Sequence, residues 1–424
     1  MLRGELFVKS LGDKARIYFM QRGKDKESEN VPVKLYRRSS DEINFSSGLV
    51  GDKFGKWYEY IDNLKHTAED VTVIFEGVLP MVHSYCEYID EDVETGHTYT
   101  YWVEANAFDE HIVLGPTACK IRDRDIWWSY DRTLEEMEHL CAANPKLIEM
   151  KQYGETTKHR PLFGMNIGNK NRVIALAGAI HASEPGPELL LKALAFIIKE
   201  RPELLNNVGI ALMPTVNADM REETVDGVPN YLRKNPNGVD LNRNFDNNWC
   251  VEYVYGFSND MPESVTYHGP YPESENETKA AVNFVNDNKP LAMFVYDSCS
   301  VITEERFLCS GGPEDGELYT FENELAALYS KEFRINRPGC GDSFTAPFLT
   351  YPYQSPAFKT TGKPKGTFEG WAYHTYNIPS YSLQSAHSEE GKGNDDDNVS
   401  LELLERWSIR HAHAIIAVLE KFSE

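Results

Sequence analysis

An imidazole and a carboxylate three residues apart, as in His181-Ala182-Ser183-Glu184, can both reach one divalent ion, and zinc accepts such nitrogen and oxygen donors. The spacing alone is common, since H-x-x-E occurs at His66/Glu69, His181/Glu184 and His387/Glu390. Only the middle pair follows an apolar run, VIALAGAI, so it is expected at a buried strand end and the other two at the surface. A helix cap with a salt bridge is the competing reading of the middle pair. A second segment, 233–245, crowds Arg233, Asp240, Asn242 and Arg243 into a glycine-bearing loop. Forked guanidinium donors there can clamp a carboxylate, although arginine and asparagine in such a loop are often only solvated.

The elements that must position these residues follow from periodicity. Buried-strand runs at 173–179, 208–213, 291–296 and 378–383 alternate with helical patterns at 187–199, 275–287, 318–331 and 401–422. Such alternation predicts an α/β fold, a mixed, mostly parallel sheet with helices on both faces, whose ligands gather at the carboxyl ends of the strands. Upstream, residues 1–125 alternate short β-rich runs (15–20, 71–75, 99–105) with turn clusters, which predicts an all-β sandwich domain. From Thr133 the apolar positions Leu134, Met137, Leu140 and Cys141 take helical spacing behind an Asp131/Thr133 capping signal, so a second domain is expected over 126–424.

Composition narrows the function. The chain has 424 residues, 41% of them hydrophobic, and a net charge of -23, which repels nucleic acid and anionic membrane. No stretch approaches the roughly 18 apolar residues of a membrane span, and the start has no apolar core behind a basic end, so a cytoplasmic protein is expected. Seven scattered cysteines, an odd number, argue for buried thiols rather than a disulfide framework.

From about Trp128 onward the chain resembles the zinc carboxypeptidases of the pancreatic carboxypeptidase A and B type. The resemblance rests on the order and spacing of QYGETTKHRPLFGMNIG, HASE, MPTVNAD, GVDLNRNF, YHGPYPESENE and GTFEGWAYHTYNIPSYSLQ. It implies the zinc carboxypeptidase fold, with zinc as cofactor and a peptide or small amide with a free C-terminal carboxylate as partner. His181 and Glu184 are then metal ligands, and Asp240 orients His181. Asn242 and Arg243 grip the terminal carboxylate, and Arg233 polarises the scissile carbonyl. Upstream, the segment 90–105, DEDVETGHTYTYWVEA, resembles part of a fibronectin type III domain.

The resemblance also exposes departures. The third zinc ligand of the family is a histidine, yet the segment here reads FVYDSCS, leaving Asp297 or Cys299 as replacement donors, or an empty site. The catalytic glutamate position, thirteen residues after Trp371, holds Gln384, and the mobile tyrosine falls on Gly362. His387 or Glu389 is an alternative base. Glu369, two before Trp371, stands where the family lines its side-chain pocket and implies a preference for a basic C-terminal residue. The expectation is a metallocarboxypeptidase with an atypical site, or else a module that binds peptide C-termini without cutting them.

Overall fold

The computed structural model describes residues 3–22, 30–43, 63–83, 85–107, 110–184, 186–247, 249–251, 253–254, 257–297, 306–309, 317–335, 366–384 and 400–424. The chain divides into two units, Met1–Trp127 with Glu223–Tyr231, and Trp128–Glu222 with Leu232–Glu424.

Among the described residues the first unit has seven strands: β1 (Arg3–Ser10), β2 (Ala15–Arg22), β3 (Asn30–Ser39), β4 (Thr72–Pro80), β5 (Tyr85–Asp90), β6 (Thr98–Ala107) and β7 (Glu110–Lys120). They pair antiparallel into two sheets, β1-β2-β5 and β4-β3-β6-β7. Alternate side chains, among them Ile17, Phe19, Val33, Leu35, Tyr101 and Val103, form one core. Residues 223–231, which the sequence reading puts in the second domain, cluster here: the Ser10 amide donates to Asp226 O (2.7 Å) and the Lys120 amide to Gly227 O (2.8 Å).

The second unit contains α1 (Tyr130–Ala143), β8 (Ile148–Glu155), β9 (Pro161–Ile167), β10 (Val173–Gly178), α2 (Pro187–Glu200), β11 (Gly209–Met213) and the start of α3 (Ala218–Val225). After a short hairpin, β12 (Tyr253–Val254) and β13 (Phe257–Ser258), come α4 (Asn276–Asn288), β14 (Met293–Asp297), β15 (Arg306–Cys309), α5 (Glu317–Ile335), α6 (Phe368–Tyr376), β16 (Ser380–Gln384) and α7 (Leu401–Ser423). The main sheet runs β15-β16-β14-β10-β11-β9-β8. Its four central strands, β16, β14, β10 and β11, are parallel, and the flanking strands join antiparallel.

Helices cover both faces, and β14 shows how. Met293 and Val295 enter a cluster with Ala281 and Phe284 of α4 and Trp371 and Ala372 of α6. Their neighbours Phe294 and Tyr296 turn the other way, stacking on Tyr329 of α5 at 5.3 Å and meeting His411 of α7 edge-on at 5.0 Å. All six residues of β10 are buried, as a central parallel strand requires. One detail corrects the sequence reading: α1 is capped by Ser129, whose hydroxyl accepts the Arg132 amide at 3.1 Å. Thr133 lies inside the helix, bonding back to Ser129 O, because the chain turns helical one residue before Asp131. Among the described residues no helix is long and apolar enough to cross a membrane.

Candidate active site

His181 lies three residues beyond the carboxyl end of β10, past Ala179, whose φ of 46° is left-handed. A non-glycine residue there costs about 1–3 kcal/mol and persists only when its surroundings dictate it. Here the segment leaving β11 does so: the amides of Val216 and Asn217 donate to Gly178 O and Ala179 O, both at 3.0 Å. The next loop is stitched to the residue before Arg233. The Ala182 amide donates to Leu232 O (2.9 Å) and the Leu232 amide to Ser183 Oγ (2.8 Å).

The two motif segments converge. His181 Nδ1 lies 2.8 Å from Glu184 Oε1, and Nε2 lies 3.2 Å from Asp240 Oδ1. Asp240 Oδ2 accepts Arg233 Nε at 2.7 Å, and Oδ1 also accepts the Asn242 amide at 3.0 Å, capping the short 3-10 turn Leu241–Arg243. His181, Glu184 and Asp240 are each at most 1% exposed. Burial works against the Asp240 charge, but Arg233 first and then His181 outweigh it and hold the carboxyl well below the usual range. Asp240 is thus an anion beside Nε2 and keeps the ring proton there. The Nδ1 lone pair then faces a carboxylate oxygen at 2.8 Å, a pair of donors that needs a cation or a proton between them. That arrangement fits a divalent ion.

Around this centre, Asn242 Oδ1 accepts the Phe368 amide (2.9 Å), tying the loop to the first turn of α6, and Arg243 Nη1 donates to Asn242 O (2.6 Å). Phe368 stacks on Phe245 at 4.5 Å. Gly366, with φ of 72°, passes so close that an added Cβ would lie 2.2 Å from Arg243 O. Glu369, on that first turn, is buried at 3% exposure rather than a surface glutamate. His66 packs edge-on against Tyr36 and Glu69 is exposed, consistent with a surface pair.

The register makes Asp297 and Gln384 Cα partners at the ends of the adjacent parallel strands β14 and β16. Cys299, Gly362, His387 and Glu389 lie outside the described residues, as do the side chains of Asp297 and Gln384. Among the described residues, no group of three or more His, Cys, Asp or Glu side chains is arranged to hold a metal ion; His181 and Glu184 are two donors.

Sequence reasoning missed three supports. Asn235 Nδ2 donates to Glu275 Oε2 (2.7 Å) and Glu277 Oε2 (3.2 Å), while its Oδ1 accepts the amides of Asn237 and Val239, shaping the turn before Asp240. Burial pushes the Glu277 carboxyl up despite those bonds. Asn244 Nδ2 donates to His268 O, Tyr271 O and Ser274 Oγ, organising the YHGPYPES loop. Arg221, on α3, pairs with Glu188. The glutamates of SENE and the last asparagine of LNRN lay within quoted motifs and were recoverable signals; Arg221 had none.

Residues 133–394 match the zinc carboxypeptidase family, and the chain belongs to it. That family consists of zinc-dependent metallopeptidases. Mouse carboxypeptidase A6 is 30% identical over 183 residues, covering 39% of this chain and 41% of that protein. Rat mast cell carboxypeptidase A is 29% identical over 176 residues, 38% of this chain and 42% of that protein. The match therefore spans about two-fifths of these relatives' length. Carboxypeptidase A from Helicoverpa armigera shares the fold with a TM-score of 0.58 at 18% identity, covering 72% of this chain and 75% of that one. The bovine thrombin-activatable fibrinolysis inhibitor, solved with a tick carboxypeptidase inhibitor, gives 0.54 at 20% identity, covering 70% and 98%.

Proposed function

We propose that the second unit receives a peptide, or a small amide with a free C-terminal carboxylate, at a zinc site and hydrolyses the last amide bond weakly. The observation that carries this reading is one buried chain of contacts, Glu184 to His181 to Asp240 to Arg233. His181 and Glu184 hold the ion, with Asp297 or Cys299 as the third donor. Bound zinc supplies Lewis acidity toward water and carbonyl. Asp240 keeps the Nε2 proton in place so that the Nδ1 lone pair is the one offered. Arg233 takes up negative charge on the carbonyl oxygen, Asn242 and Arg243 hold the terminal carboxylate, and Glu369 favours a basic side chain. Gln384 cannot take a proton from water, which limits turnover.

The second reading, a module that binds C-termini without turnover, is favoured by the same glutamine. Its register partner at the end of the adjacent strand is Asp297. For residues 1–125, apart from the domain over 126–424, we infer a fibronectin type III-like fold, supported by the three-and-four arrangement of its strands. Free Cys86, Cys119 and Cys141 support a reducing, cytoplasmic location, and the charge of -23 supports partners other than nucleic acid or anionic membrane.

The test is metal analysis of the purified chain followed by mass spectrometry of peptides ending in Lys, Arg, Leu or Asp. Bound zinc with slow release, raised about 10²- to 10⁴-fold by Gln384→Glu, supports hydrolysis. Retention of peptides without release from either form supports the second reading. A chain that holds neither zinc nor peptide overturns both, and indifference to Lys and Arg ends overturns the role of Glu369.

A further inference from the structure

Arg221 is 1% exposed, and its guanidinium is bonded in every direction. Nε donates to Trp128 O at 3.1 Å. Nη1 donates to two carbonyls of the candidate metal loop, Ala182 O at 3.1 Å and Glu184 O at 2.8 Å. Nη2 donates to both oxygens of Glu188 at 2.9 and 2.8 Å. Glu188 lies in the first turn of α2, the helix that begins directly after the loop.

A planar fork with its donors fixed in one frame holds several acceptors at fixed relative positions, which a lysine ammonium on a flexible stem cannot do. One of the held carbonyls belongs to Glu184 itself and the other lies directly after His181. The fork therefore constrains the backbone that sets the separation of the two donor side chains. Glu188 orients the fork from the opposite edge and neutralises its charge in a site from which water is excluded.

We propose that Arg221 is a positioning residue for the metal site, clamping the His181–Glu184 loop in a ligating geometry, with Glu188 orienting the clamp. The proposal rests on the zinc reading above. It separates two consequences that a purely structural ion pair would keep together. Arg221→Lys keeps a cation opposite Glu188 but loses the carbonyl bonds, whereas Glu188→Gln weakens the pairing and leaves those bonds in place.

The experiment uses the full chain stripped of metal. Zinc affinity is measured by competition with a chelating dye, the absorption spectrum is recorded with cobalt in place of zinc, and thermal unfolding is followed without metal. Arg221→Lys is expected to weaken zinc binding about 10- to 100-fold and to alter the cobalt spectrum. Glu188→Gln is expected to lower the unfolding temperature while keeping zinc affinity within about threefold of wild type and the cobalt spectrum unchanged. Native zinc affinity and a native spectrum in Arg221→Lys overturn the clamp. Zinc losses that merely track the unfolding temperature across both variants overturn it too. If Arg221→Lys does not fold, the apolar pair Arg221→Met/Glu188→Leu decides: unchanged zinc affinity overturns the clamp, and a loss of the stated size supports it. A wild-type chain that takes up neither metal overturns the zinc reading and the clamp with it.

Discussion

Asp240→Asn keeps the shape of a fully buried side chain and removes its charge. The carboxylate accepts three donors: His181 Nε2 and the Asn242 amide on Oδ1, and Arg233 Nε on Oδ2. An asparagine oxygen can still serve the first two, but its amide nitrogen then meets Arg233 Nε across the 2.7 Å now spanned by a hydrogen bond, donor against donor. Removing one partner of a buried pair costs about 3–5 kcal/mol. The Arg233 side chain keeps 14% exposure, which places the cost at the lower end, about 3 kcal/mol. At about 2–4 °C per kcal/mol, the apo Tm of the second unit falls by about 6–12 °C. Zinc gives an independent measure. At a concentration 100 times Kd the ion stabilises wild type by about 2.7 kcal/mol. Once the His181 proton is no longer held by an anion, affinity drops about 10- to 100-fold. At the same zinc concentration the stabilisation shrinks to about 1.4–0.4 kcal/mol. Calorimetry of both proteins with and without zinc reads all four quantities. An equal zinc-induced rise in Tm for the two proteins, or an apo Tm lowered by less than about 2 °C, would refute the argument.

Gly366→Ala forces a methyl onto Arg243 O at a left-handed position and is expected to cost about 2–5 kcal/mol and to weaken retention of a peptide with a free C-terminus, read by urea unfolding and by binding of a labelled peptide. Asn244→Ala removes the acceptor of the Glu275 amide and one donor each from His268 O and Tyr271 O, which keep Trp249 Nε1 and the Ser274 amide, so urea unfolding should show a loss of about 1–3 kcal/mol. Burial pushes the Cys86 thiol up to about 11 and the Cys119 thiol up to about 12, from the ordinary 9.0. Both should therefore resist a thiol reagent at pH 8 until the chain is denatured. Their contribution to stability is complete below pH 9, where folded and unfolded thiols are both protonated, and is lost as pH rises toward the folded values; a first unit whose stability does not fall over that window contradicts it. Because Asp297 and Gln384 are Cα partners on adjacent strands, peptide release should rise more in Asp297→His/Gln384→Glu, which supplies both a neutral metal donor and a base, than in Gln384→Glu alone. Equal rates in the two variants count against that reasoning.

What could be read from the sequence depended on whether a residue's role is set locally or by the assembled sheet. His181 and Glu184 follow a strand whose six residues are all buried, so a one-dimensional pattern is enough to place them at a buried strand end, while His387 and Glu390 lie outside the described residues. Asp240 and Arg233 were legible only as members of a loop; that Asp240 reaches His181 and Arg233 reaches Asp240 is a property of the assembled strand ends. The strand β8 reads IEMKQYGE, with burial that alternates irregularly, and its pairing with β9 shifts register between Gln152 and Gly154. Arg221 marks the limit. Its run, ADMREETV, is mostly polar and charged, which reads as a solvated helix, yet the side chain is nearly inaccessible. Its acceptors come from residues 33 to 93 positions away, and no local window contains them. A buried ion is tolerable only where partners are already in place, so its burial is decided by the finished site and not by its neighbours in sequence. Positions 297 and 384 show the same dependence: far apart in sequence, they are Cα partners at the ends of two adjacent strands.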